Sequence, residues 1–167
     1  MAKLDKTNAL RILDRERIPY ETLSYPPAEE HLDGVSVAAL LGESALRIFK
    51  TLVLLGDDRQ HYVCVIPAAK ELDLKAAAAL FGVKNLHMVQ VSELKDLTGY
   101  VRGGCSPIGM KRAFATALDM SAQALPYILV SGGRIGLQVK MKPVDLCAAC
   151  QARYGQICRQ GDNSSGY

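Results

Sequence analysis

The chain has 167 residues, enough for one well-cored domain and short for two. It is 49% hydrophobic and 22% charged, the balance of a soluble globular protein rather than a disordered or fibrous one. No apolar run approaches the ~20 residues that a membrane span needs. The net charge of +3 comes without a block of like charge. That excludes wrapping a duplex through many phosphates but is compatible with holding one end of a nucleic acid.

The opening stretch MAKLDKTNALRILDRERIPY scatters charge through its apolar positions and lacks the uninterrupted apolar core of a secretory signal. A cytoplasmic location is expected. Five cysteines, Cys64, Cys105, Cys147, Cys150 and Cys158, are an odd number without a secretory context, so a disulfide framework is not expected. Cys147 and Cys150 form a C-x-x-C pair, but no second ligand pair follows at zinc-site spacing. The three histidines, His31, His61 and His87, are dispersed. No metal and no cofactor are expected, and the last three thiols are read as incidental groups on a C-terminal helix.

In chain order, Thr7 caps an amphipathic helix that ends before Pro19. A strand follows over 20–24, closed by Pro26 and Pro27. Ser36 is read as the cap of a helix through Leu41, with Gly42 as its stop. Residues 48–55, the turn 56–59 and residues 61–66 predict a β-hairpin. The run DLKAAAALF, 73–81, has strong helix propensity and stops at Gly82. A short strand near 86–89 and a helix over 92–97 come next. The glycine-rich segment 98–109 then precedes strands over 114–118, 127–131 and 137–141, the last two joined by a turn at Gly132-Gly133-Arg134. Pro143 opens a closing helix read through PVDLCAACQARYG. Residues 161–167 are expected to be a disordered tail. Paired strands with helices between them predict a single α+β domain over 1–160, built on a mixed, largely antiparallel sheet.

One position disturbs this pattern. In RIFKTLVLL, 47–55, a lysine interrupts a strand whose two faces are otherwise apolar. The bland reading is a strand-end lysine that packs its stem and lets its ammonium reach water. The alternative is a cation that meets an anion.

The glycine-rich segment TGYVRGGCSPIG suits close backbone approach and exposes N–H groups to an anion or a developing oxyanion. A structural loop explains it equally well. It is not a phosphate-binding Walker loop, because Lys111 falls one place late and no Ser or Thr follows it. The pattern VSGGR, 130–134, reads as a hairpin turn, or as a turn that brings Ser131 to a pocket mouth. No G-x-S-x-G elbow accompanies it, which argues against a serine nucleophile. Cys105 within the glycine loop would act as a nucleophile only if a neighbouring cation or helix terminus lowered its pKa.

Four pieces in register, F-K-T-L at 49–52, L-D-L-K at 72–75, T-G-Y-V-R-G-G-C-S-P-I-G at 98–109 and V-S-G-G-R-x-G-L at 130–137, resemble the YbaK-type family of free-standing aminoacyl-tRNA deacylases. These are related to the editing domain of prolyl-tRNA synthetases. The resemblance covers roughly residues 5–160 and is closest to the branch acting on Cys-tRNA(Pro), with Cys-tRNA(Cys) as a further substrate. It implies Lys50 as the principal functional residue, with Gly103 and Ser131 beside it as catalytic. It also implies that Tyr25, Thr51, Gly104, Ser106 and Gly132 bind substrate, without metal or cofactor.

The mechanism implied is attack by the cysteinyl thiol on its own ester, the enzyme supplying orientation and an oxyanion site. The acceptor end of an aminoacyl-tRNA and a transient prolyl-tRNA synthetase complex are the implied partners. A preference for Ala-tRNA(Pro), or acceptor-end binding without catalysis, are the competing readings. Where the family commonly has G-L-D after the hairpin, this chain has Gly136-Leu137-Gln138, leaving open how the substrate's ammonium is held.

Overall fold

The computed structural model describes residues 5–26 and 32–160. Helix α1, Asn8–Arg15, starts where the Thr7 hydroxyl accepts the Leu10 N–H. Strand β1, Glu21–Ser24, follows. Helix α2, Gly34–Leu41, is capped by Asp33, whose carboxylate accepts the Ser36 N–H at 2.8 Å. Ser36 therefore lies inside the first turn and is not the cap. The stop at Gly42 is as expected, with φ 69° in the left-handed region that glycine adopts freely.

Strands β2, Phe49–Gly56, and β3, His61–Pro67, form the expected antiparallel hairpin. Helix α3, Leu74–Phe81, is capped by Asp73 and stopped at Gly82. Strand β4, Leu86–Met88, and helix α4, Val91–Thr98, lead into the glycine-rich loop. Strands β5, Ala115–Asp119, β6, Ile128–Ser131, and β7, Leu137–Met141, follow.

Helix α5, Pro143–Cys150, is shorter than its sequence suggests. Gln151 turns left-handed at φ 54° and ends it, and Arg153–Gly155 becomes an eighth strand, β8. Cys158 is consequently not helical; it bridges to Leu72 instead. Pro27 and the tail 161–167 lie outside the described residues.

Two sheets result, ordered β1-β7-β6 and β4-β2-β3-β5-β8. All pairings are antiparallel except β3 with β5 and β5 with β8, so the α+β, mixed and largely antiparallel architecture is as expected. The inner faces share the main core. Phe49 and Val53 of β2, Val63 and Val65 of β3, and Leu137 and Val139 of β7 pack there with Leu10 and Leu13 of α1 and Leu146 of α5. On the outer face, α3 covers Leu54, Cys64 and Ile66 through Ala77 and Ala78. Helix α2 covers Ile48 and Leu129 through Ala38.

The two sheets touch at one parallel bridge, Ile48 to Leu129. Strand β4 joins the same edge of β2 farther along, where the Val89 N–H donates to the Val53 carbonyl. Between those two points the edge of β2 is open.

Candidate active site

The position of Lys50 follows from strand period. Ile48 lies under α2 and Leu52 against the cluster under α3, so Lys50, between them on the same face, falls at the seam where neither helix covers the sheet. The expectation that both faces of β2 are buried holds, and the lysine occupies the gap. Its Nζ makes no hydrogen bond or ion pair among the described residues.

A cavity of about 580 Å³ opens at this seam, lined by Tyr25, Lys50, Thr51, Gly103, Ser131 and Gln138 together with the Met88–Val91 rim. This is the size of an ordinary small-ligand site. It wraps round the open edge of β2. Ile48 pairs with β3 through the N–H of Ala68, and Val53 pairs the other way with Val89. By alternation the N–H and C=O of Thr51 point to the open edge.

Two residues beyond the Ile48–Leu129 contact stand Lys50 and Ser131, and Ser131 is paired with Gln138 on β7. Serine and glutamine thus stand side by side on β6 and β7, and Lys50 shares their cavity wall from β2, across the gap where the two sheets part. The Ser131 hydroxyl accepts the Gly133 N–H at 3.2 Å, which pins its oxygen at the mouth of the turn. Tyr25 is brought in by its own N–H, which donates to the Gly136 carbonyl at 2.9 Å. Gly103, at φ 85°, takes a conformation that suits glycine, and its N–H makes no hydrogen bond among the described residues.

Three of the eight residues expected at the site are not on the cavity wall. Gly104 packs the loop against the β6–β7 turn, where a Cβ would stand 2.9 Å from the Ile135 nitrogen, and its N–H is taken by Val101. Ser106 is fully buried and its hydroxyl accepts the Ile108 N–H. Gly132 donates its N–H to Leu137 and leaves room for that side chain. Their placement fits holding the wall in shape.

Cys105 does reach the lining, but burial pushes its thiol up to about 11. This is opposite to what a thiolate nucleophile requires. Among the described residues no cluster of His, Cys, Asp or Glu is arranged to hold a metal.

Sequence reasoning did not assign Arg102, an exposed cation on the lining, although it stands inside the quoted glycine motif. It also missed two buried oxygens that have no hydrogen-bond partner, Thr51 Oγ1 and Gln138 Oε1. An orphaned buried polar atom costs about 1–3 kcal/mol, and no sequence signal locates one.

The cleft joins an unpaired cation, a bare main-chain donor and an open strand edge on a two-sheet α+β frame, and comparison with known proteins gives the class to which that frame belongs. Residues 29–149 match the family model described as the aminoacyl-tRNA editing domain, and the chain belongs to that family. It is 41% identical over 152 residues to EbsC of Enterococcus faecalis, named as a candidate Cys-tRNA(Pro)/Cys-tRNA(Cys) deacylase, covering 91% of this chain and 93% of EbsC. A proline--tRNA ligase of Persephonella marina is 27% identical over 163 residues, which are 87% of this chain and 28% of the ligase. A crystal structure described as a candidate trans-editing enzyme for prolyl-tRNA synthetase superposes with a TM-score of 0.80 at 23% identity, over 93% of this chain and 99% of that one. This last likeness concerns the fold.

Proposed function

We propose that the protein removes cysteine from mischarged Cys-tRNA(Pro), and from Cys-tRNA(Cys), by letting the substrate attack itself. The observation that carries this reading is Lys50, a cation without a partner among the described residues, on the wall of a cavity that offers no base-activated nucleophile. The cysteinyl thiol adds to its own ester carbonyl and the C–S bond forms. The C–O bond to the ribose breaks, and the thiol proton leaves with the ribose oxygen. Water then opens the cyclic thiolactone to free cysteine.

The protein's share is orientation, worth several kcal/mol when the reacting atoms are held close. Lys50 meets the negative charge of the tRNA terminus or of the ester in transit, and the Gly103 N–H faces the developing oxyanion. Ser131 and Tyr25 shape the wall around the aminoacyl group. Gly104, Ser106 and Gly132 support that wall from behind.

The modest net charge of +3 suits a domain that grips only the acceptor end in the cytoplasm, with a transient complex with prolyl-tRNA synthetase supplying the rest of the tRNA affinity. Among the described residues no helix is long and apolar enough to cross a membrane.

Single-turnover deacylation of Cys-, Ala- and Pro-charged tRNA(Pro) and of Cys-tRNA(Cys) tests the reading. Wild type should act on both cysteinyl substrates at similar rates and leave alanine in place, since alanine has no thiol. Lys50→Ala should lower the rate at least about a hundredfold, the loss of one transition-state contact. Hydrolysis of Ala-tRNA(Pro) would refute the thiol mechanism. Intrinsic discrimination of tRNA(Pro) would refute the need for the synthetase.

A further inference from the structure

Among the described residues, three buried side-chain polar atoms lack a hydrogen-bond partner: Arg47 Nη1, Thr51 Oγ1 and Gln138 Oε1. Two of the three residues line the same cavity. Native proteins pair nearly all their buried polar groups, so an orphan on a pocket wall calls for a ligand atom to complete it.

Gln138 is the better defined of the two. Its neighbours on β7, Leu137 and Val139, enter the main core, so its amide points to the opposite face. It is paired through the backbone with Ser131 on one side and Leu23 on the other. The residue is only 6% exposed.

An aminoacyl ester brings one group that needs acceptors, its α-ammonium. Like-charge repulsion keeps that ammonium away from Lys50, which lines the same cavity as Ser131 and Gln138. The Ser131 oxygen already accepts the Gly133 N–H. The Gln138 amide oxygen beside it accepts nothing. Among the described residues the carboxylate on the lining belongs to Asp33, and it already serves as the cap of α2.

We infer that Gln138 Oε1 accepts the substrate's α-ammonium, so that this protein recognises the amino group with a neutral amide rather than a carboxylate. This assignment rests on the acceptor-end reading given above. A neutral acceptor has a specific consequence. It distinguishes a free ammonium from a blocked amine less sharply than a carboxylate does, because the charge–charge part of the attraction is missing.

The test uses the full chain and a non-hydrolysable probe, 3′-deoxy-3′-(L-cysteinylamino)adenosine, with its N-acetyl form as the blocked counterpart. Calorimetry gives Kd for wild type, Gln138→Met, Gln138→Glu and Asp33→Asn, and thermal unfolding gives Tm without ligand. Gln138→Met should weaken the free-amine probe by about tenfold or more. It should also raise Tm or leave it unchanged, because it removes an unpaired buried oxygen; a residue with a purely structural role would lower Tm. Gln138→Glu should widen the preference for the free amine over the N-acetyl form.

If Gln138→Met binds the free-amine probe as wild type does, or if Asp33→Asn carries the loss instead, the assignment is overturned. Absence of any probe binding by wild type overturns it as well. Probe binding by a wild type that does not turn over Cys-tRNA(Pro) refutes the deacylase reading alone and leaves the Gln138 comparison readable.

Discussion

Lys50 and Cys105 show how differently two reactive side chains fare a few ångströms into the same wall. The lysine sits where α2 and α3 leave the sheet uncovered, so it lines the cavity. The cysteine shares the main core, and burial holds its thiol protonated, near 11. Cys105→Ser should therefore keep deacylation of Cys-tRNA(Pro) within about fivefold of wild type, a barrier change under ~1 kcal/mol. Initial rates of the two proteins check it, and loss of activity in the serine variant would make the protein's own thiol a participant.

Much at this scale was legible in the residues. A lysine inside an apolar strand is anomalous on its own, and the glycine motif marks a loop of unusual backbone. The orphaned oxygens of Thr51 and Gln138 were not legible, because they arise from the divergence of β6 from β2 after one bridge. That divergence depends on contacts far apart in sequence.

Among elements, the glycine loop and the β6–β7 hairpin act as one wall. Gly104 lies against the backbone of Arg134 and Ile135, where a Cβ would come within 3.1 Å of three main-chain atoms. Backbone cannot swing aside as a side-chain tip can, so Gly104→Ala should part the loop from the hairpin. A destabilisation of about 1–3 kcal/mol is expected, together with loss of activity through displacement of Gly103. Urea unfolding and single-turnover rates measure both, and a fully active, equally stable alanine variant would contradict the shared wall.

Element boundaries read well wherever the signal is local. Thr7, Asp73, Gly42 and Gly82 each mark an end through their own side chain or lack of one. The start of α2 was misplaced because Asp33 and Ser36 are both good caps, and Asp33 won. Strand β8 was missed because Arg-Tyr-Gly has no apolar alternation. It is a strand only through its parallel pairing with β5.

For the molecule as a whole, the cysteines bear on stability rather than chemistry. All five are free. Burial, the largest influence on each, pushes the thiols of Cys64, Cys150 and Cys158 up to about 12 from their usual 9.0. Above pH 9 the unfolded chain loses thiol protons that the folded chain still holds, so ν_U falls below ν_N and stability declines with pH. The contribution is complete below about pH 9 and is lost progressively as pH rises toward 12. Under reducing conditions the urea midpoint should be level, as far as these groups are concerned, from about pH 7 to 8.5 and should fall beyond 9. A midpoint unchanged at pH 10.5 would show the thiols to be accessible in the native state.

The contact between the two sheets at Ile48 and Leu129 places the cavity, and neither it nor the parallel pairing of β3, β5 and β8 is visible in local pattern. The resemblance of four motifs in register supplied the fold where periodicity stopped. The most direct measurement of the central claim compares Cys-tRNA(Pro) with its S-methylated counterpart at saturating protein. Self-attack predicts fast release of cysteine and only background release of S-methylcysteine, with the two substrates bound alike. Equal release of both would show that water or a side chain opens the ester, and would contradict the account.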